Sequence, residues 1–149
     1  FVLRFFDGGG WDRWTRFTKD EQVRMMTLWA IFRSPLMFGG ELRDNDEWTL
    51  SLLTNKEVLE VNQTSHSNRL IERNGDKIVW AAKNAEGQTY IALFNAGEEK
   101  ADIKVTLDQL GLSKGLQARD LWRHEEMGWV TDGIHQTLAP HSSILLKLY

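Results

Sequence analysis

The sequence contains no cysteine, and only 2 prolines. Without thiols there is no disulfide framework and no thiolate chemistry, so redox usage says nothing of compartment. No hydrophobic run approaches the length of a helical membrane span, and the apolar residues 1–6 are too short and unsuited for a signal peptide. Charge of one sign is also lacking. The 18 basic and 21 acidic residues are mixed along the chain and sum to −3. That balance excludes the clustered basic face of a nucleic-acid binder. The histidines, His66, His124, His135 and His141, form no HxxxH or HExxH pair, so no metal site is expected. Gly8-Gly9-Gly10 lacks the GxxxxGK[ST] order of a phosphate loop, and no cofactor is implied.

What is present organises around residues 18–42, TKDEQVRMMTLWAIFRSPLMFGGEL. Thr18 followed by Glu21 is a capping box that marks a helix start. From Val23 to Phe32 nearly every helical face carries a large apolar side chain, which predicts burial on more than one side. Pro35 stops the helix, and Ser34 before it is pushed toward extended geometry. Residues 35–38, Pro-Leu-Met-Phe, form an apolar run without alternation, which predicts a parallel strand covered on both faces. Asp46 and Asn55 then cap two short helices, over residues 47–53 and 56–61.

Beyond a polar segment at residues 63–68 the period changes from helical to alternating. Asn74-Gly75 between two alternating runs is a hairpin signal, and residues 84–87 supply a second turn. Further strands are expected at residues 101–107, 116–121, 128–130, 136–138 and 143–148, an antiparallel β-sandwich. Asp120 reads as a strand edge, Trp122 as sandwich core and Glu125-Glu126 as a turn. Asn62-Gln63-Thr64 is a glycosylation sequon on paper. The halves thus differ in class, α/β over residues 1–65 and antiparallel β over 66–149, giving an α+β fold overall. The first half carries a problem of its own. A parallel strand needs neighbours, and no partner strand is in the sequence. The strand at 35–38 therefore points to a longer protein, or to self-association through its unpaired edge.

The order LWAIFRSPLMFGGELR, LSLLTNKEVLEVNQ, then YIALFNAG, ARDLW and the closing APHSSILLKL resembles the C-terminal part of glycoside hydrolase family 27. That family comprises α-galactosidases and α-N-acetylgalactosaminidases. The resemblance covers the chain from about Thr18 to Tyr149, and implies the end of a (β/α)8 barrel followed directly by a β-sandwich. Residues 18–32 resemble the seventh barrel helix, 34–38 the eighth strand and 46–61 the eighth helical layer. His141 matches a histidine of the family's closing strand motif, with a structural role. The family cleaves terminal α-galactosides with retention, through two aspartates held about 5 Å apart. Their motifs belong to the fourth and sixth barrel strands and do not occur here. The resemblance therefore implies a carbohydrate-hydrolysing parent, secreted or periplasmic, and a fragment inactive on its own.

No catalytic residue is carried over. Pocket-edge candidates are Trp11 and Asp12, in the aromatic loop after the glycine run, and Glu41, after the expected eighth strand where such barrels place their active sites. Asp7 lies on the same rim. Asp44 reads better as a helix cap. A second functional reading is a non-catalytic carbohydrate-binding sandwich with the helical half as an accessory, but such a module has no need of residues 35–38.

Overall fold

The structure, a computed structural model, describes residues 14–37, 43, 45–113 and 115–149. Helix α1 spans Lys19–Phe32. The Thr18 side chain accepts from the Glu21 N–H, and the Glu21 carboxylate accepts from the Thr18 N–H in return. The capping box thus satisfies two of the otherwise orphaned donors at the helix start. The helix closes with Arg33 in the left-handed region, φ 54°. Arg33 N–H donates to Ala30 and Ser34 N–H to Trp29, a Schellman pairing. Glycine usually takes that position. Here the guanidinium of Arg33 adds bonds to the carbonyls of Asn62 and Gln63.

Helices α2 (Glu47–Leu53) and α3 (Lys56–Thr64) follow, capped by Asp46 and Asn55 as the sequence predicts. Strands β1 (His66–Asn74), β2 (Lys77–Lys83), β3 (Thr89–Asn95) and β4 (Ala101–Thr106) lead to a short helix, α4 (Leu107–Leu110). Strands β5 (Leu116–Asp120), β6 (Glu125–Val130), β7 (Gly133–Leu138) and β8 (Ser143–Leu148) complete the chain. One sheet has the order β1-β2-β3-β8-β5-β6 and the other pairs β4 with β7, all antiparallel.

The six-stranded sheet is the middle of three layers. Its inner face (Val79, Ile91, Leu93, Leu146, Leu148) packs on Ile103, Val105 and Ile134 of the small sheet. Its outer face (Ala82, Tyr90, Ala92, Phe94, Leu145) packs on Ala30 and Ile31 of α1 and Val58 and Val61 of α3. Strand β3 lies at the centre, and all seven of its residues are buried. This explains the run YIALF. Alternate side chains point to opposite faces, and both faces are covered. Each fully buried aliphatic side chain here stabilises the fold by about 1.5–3 kcal/mol. Asn95, at the end of β3, is buried without penalty. Its amide nitrogen donates to the carbonyls of Glu99, Leu138 and Ala139, and its oxygen accepts from Gly97 N–H.

Several expectations are corrected. Helix α1 buries one face, Gln22, Met26, Thr27, Ala30 and Ile31, while Leu28 and Phe32 remain exposed. A second contact is made with α2, where Met26 meets Leu52 with Trp29 and Trp48 beside them, and Phe32 lies against Trp80 of β2 with its ring centre 4.1 Å away. Residues 35–37 form no strand, and Met37 is 83% exposed. Ladder hydrogen bonds need a neighbouring strand, and none lies beside this segment among the described residues. Phe38 falls outside them. The edge expected to support self-association is accordingly not formed by residues 35–37.

The polar segment at 63–68 leaves almost no loop between the halves, since α3 runs to Thr64 and β1 starts at His66. The strand expected through Leu107 stops at Thr106, because Thr106 and Gln109 form a second capping box that starts α4. Strands β6 and β7 begin three residues earlier than expected, and Glu125 and Glu126 lie in β6 rather than in a turn.

Candidate functional site

Helix α3 is placed by its cap. Asn55 Oδ1 accepts from the N–H groups of Glu57 and Val58, while Nδ2 donates to the Leu121 carbonyl just past β5. With the helix start fixed against the sheet, Glu57 and Glu60, three residues apart, share one helix face. That face meets β5, β8 and β3. Arg119 of β5 grips Glu57 through two bonds, Nε to Oε2 at 2.8 Å and Nη2 to Oε1 at 2.9 Å, and turns Nη1 to Glu126 Oε1 at 2.9 Å. His124 Nδ1 lies 2.6 Å from Glu57 Oε1. Glu60 accepts from the Tyr90 hydroxyl at 2.8 Å, with Lys147 Nζ at 3.8 Å. A pocket of about 290 Å³ opens among Glu57, Glu60, Gln88, Arg119, Lys147 and Tyr149.

The electrostatics of this pocket decide what it can do. Hydrogen bonding from Arg119, and then from His124, outweighs partial burial and holds the Glu57 carboxyl down at about 2. Burial, reinforced by the Glu60 carboxylate, pushes the Tyr90 hydroxyl upward. A carboxylate ionised at all working pH values and held in a fork by arginine has no proton to give. Glycosidic cleavage needs a carboxyl whose pKa is raised. Glu57 and Glu60 therefore anchor helix to sheet, through Arg119 and through Tyr90 and Lys147.

A second, larger cleft of about 700 Å³ lies between α1–α2 and the sandwich, with Asp20, Trp48, Trp122, Arg123 and Ser142 among its lining. Trp122 does not sit in the sandwich core as the sequence suggested. Its indole N–H donates to Thr27 Oγ1 of α1 at 2.8 Å, and its backbone N–H donates to the buried Asp120. Trp48 donates to Gln22 Oε1 at 3.3 Å, and Lys19 Nζ stands 4.7 Å over its ring. At the start of α1, His141 Nδ1 contacts Glu21 Oε1 at 3.0 Å. Its Nε2 lies 3.0 Å from Glu98 Oε1, but off the line of a hydrogen bond. His141 is therefore a clamp between helix and sandwich turns, as expected from its structural reading. The side chain of Asn62 in the sequon is engaged too. Its Nδ2 donates to the carbonyls of Trp29 and Ser34 and so closes the end of α1.

Trp11, Asp12 and Glu41 lie outside the described residues, as do Asp7 and Asp44. Asp46 behaves as the cap that its type predicts, accepting from Thr49 N–H at 2.7 Å. Among the described residues no group of three or more His, Cys, Asp or Glu could hold a metal ion. The network the sequence reading missed is the one around Glu57 and Arg119. Its signal was there in LQARD, where alternation places Gln117 and Arg119 on the face opposite Ala118.

This α+β fold of helices docked on an antiparallel sandwich has clear relatives. Residues 74–148 match the family model described as alpha galactosidase C-terminal beta sandwich domain, and the chain belongs to that family. Residues 13–64 match a second model, described as Alpha galactosidase A. Among solved structures, a GH27 β-L-arabinopyranosidase from Geobacillus stearothermophilus is 57% identical with a TM-score of 0.91, over 95% of this chain and 33% of that one. Alpha-galactosidase I from Mortierella vinacea is 27% identical with a TM-score of 0.83, over 96% and 37%. Alpha-galactosidase 2 of Arabidopsis thaliana is 33% identical over 135 residues, 88% of this chain and 34% of the relative. The chain thus spans about a third of the length of the curated relatives it matches.

Proposed function

We propose that the chain forms the C-terminal third of a retaining glycoside hydrolase acting on terminal α-linked galactosides. In this reading residues 1–65 close a (β/α)8 barrel, residues 66–149 form its sandwich domain, and the catalytic carboxylates come from barrel strands outside this sequence. The observation that carries it is the succession of two alpha-galactosidase family matches along one chain, in the helix-then-sandwich order that the structure displays. The exposed segment 35–37 supports it, since barrel staves would cover it. In this reading Trp11, Asp12 and Glu41 belong to pocket-rim loops, because helix N-termini in such barrels face the catalytic end.

One observation favours a second substrate. Identity to the β-L-arabinopyranosidase is 57%, well above the 27% and 33% to the α-galactosidases. A β-L-arabinopyranoside has the ring configuration of an α-D-galactopyranoside and lacks only the C5 hydroxymethyl group. The test is to assay the full-length protein with aryl α-D-galactopyranoside and aryl β-L-arabinopyranoside, beside the 149-residue chain. The full-length protein is expected to cleave at least one with retention, and the chain neither. Activity in the chain overturns the proposal, as does a full-length protein that cleaves neither. The Glu41→Gln variant, if Glu41 lines the rim, changes KM more than kcat.

A further inference from the structure

The face of the six-stranded sheet beside α3 carries a row that neither the helices nor the small sheet covers. Gln117 on β5 stands directly opposite Trp129 on β6. It also exchanges both backbone hydrogen bonds with Tyr149, just past β8, at 2.9 and 3.1 Å. Directly opposed residues point to the same side of a sheet. Trp129, Gln117 and Tyr149 therefore form one row across three strands, with the outer two about 10 Å apart at the backbone. Trp129 is 73% exposed and Tyr149 42%.

The next row on the same face is Glu126, Arg119, Lys147 and Tyr90. A bulge separates the rows on β6, where Gly128 takes φ 87°, and bulges twist and re-aim an edge strand. The Tyr149 ring is held by its hydroxyl, which donates to Glu126 Oε2 at 2.9 Å. The pocket of about 290 Å³ adjoins the row at Tyr149.

The chemistry of this face selects its ligand. Its charges are consumed internally: Glu126 and Glu57 by Arg119, and Glu60 by Tyr90 and Lys147. An anionic ligand would find no uncompensated cation here. The two aromatic rings do not merge into an apolar patch of the kind that docks a protein, because a carboxamide lies between them. That carboxamide, of Gln117, makes no hydrogen bond within the described residues. Aromatic faces flanking hydrogen-bonding groups suit a neutral, polyhydroxylated molecule with apolar ring faces. We propose that Trp129, Gln117 and Tyr149 form a non-catalytic binding platform for a neutral oligosaccharide, its pyranose rings stacked on the two aromatic side chains.

The test is binding, so it stands or falls apart from any hydrolytic activity. The 149-residue chain is run through native gels with and without a neutral galactomannan. Retardation by the polymer is expected. The Trp129→Ala variant is expected to weaken it by about tenfold, as for loss of an aromatic stacking surface, and Tyr149→Phe to retain it. Trp129 is exposed, so its replacement leaves the urea midpoint in place. In the unmodified chain, amide chemical shifts of residues 117, 129 and 149 are expected to move on titration with galactomannan oligosaccharides. The proposal is overturned if the chain is not retarded, or if Trp129→Ala binds as the parent does. Shifts that map elsewhere overturn it as well, as does retardation seen only with an anionic polysaccharide and abolished by salt.

Discussion

Strand β3 and helix α1 are both rich in large apolar residues, yet they end in opposite situations. Every residue of β3 is buried between two layers, whereas α1 leaves Leu28 and Phe32 only partly covered. The difference lies in what surrounds them. β3 has hydrogen-bonded neighbours on both sides, β2 and β8, and side-chain layers on both faces. α1 meets the sheet and α3 through Ala30 and Ile31 and α2 through Met26, but keeps other apolar side chains half-covered, and beyond it the chain runs to an exposed Met37. A sequence states how apolar an element is. Whether each face meets a partner depends on what else is folded beside it.

Substitutions can break this comparison. The largest effect is expected within the sandwich. Leu146→Ala removes a fully buried side chain from the inner core and is expected to cost about 3–4 kcal/mol. Gly133→Ala belongs to the same group. A Cβ there would meet the Val105 carbonyl at 2.3 Å, so the β4–β7 pair must part, and a similar loss in urea denaturation is expected.

Next comes the helical layer. Ile31→Ala is expected to cost about 2–3 kcal/mol. Hydrogen exchange should rise over residues 19–64 and change little in β3 and β8. Uniform acceleration would show that the two layers open together, and the contrast would be lost. Arg119→Ala removes the fork that joins α3 to β5 and is expected to lower the denaturation midpoint by less than Ile31→Ala does.

Smaller again is the pH dependence of the α1 clamp. His141 faces Glu21 and Arg24 of α1 and Glu98 of the β3–β4 turn. The Glu21 bond, then Glu98, raises the imidazole above its ordinary 6.5, so its contribution is full below 6.5 and fades as pH climbs through the raised value. The same His141 bond, then Thr18, lowers Glu21 to about 2, so that contribution is full above 4.5 and fades as pH falls toward 2. The docking of α1 should be tightest between pH 4.5 and 6.5. Exchange at residues 19–24 followed against pH checks this, and His141→Gln should flatten the profile above pH 6.5. The smallest effect is expected for Met37→Ser, within about 0.5 kcal/mol because the side chain already lies in water. A large loss there would mean that the segment is covered after all.

Much of the fold was legible because its signals are local. Thr18 with Glu21, Asp46, Asn55 and the Asn74-Gly75 turn each carry their meaning within four residues, and the helices and hairpin stand where they point. The early start of β6 was hidden because Glu125 and Glu126 carry no apolar alternation. Their strand geometry comes from pairing with Arg119 and Asp120. The α3 anchor was hidden for a related reason. Glu57 and Arg119 are 62 positions apart, and nothing in either segment announces the other. The rim candidates Trp11, Asp12 and Glu41 were read from a barrel that this sequence does not hold, so they remain part of the proposal alone.

The hydrogen bonds of Asn62 bear on how such a protein would be processed. The amide nitrogen a glycosyltransferase would modify is the one that seals both carbonyls at the end of α1. Attaching a sugar would take one of its two hydrogens and reopen that seam. A glycan at this sequon would thus be a record of modification before the helix had settled, and its bearer would carry a helix end that no longer shuts.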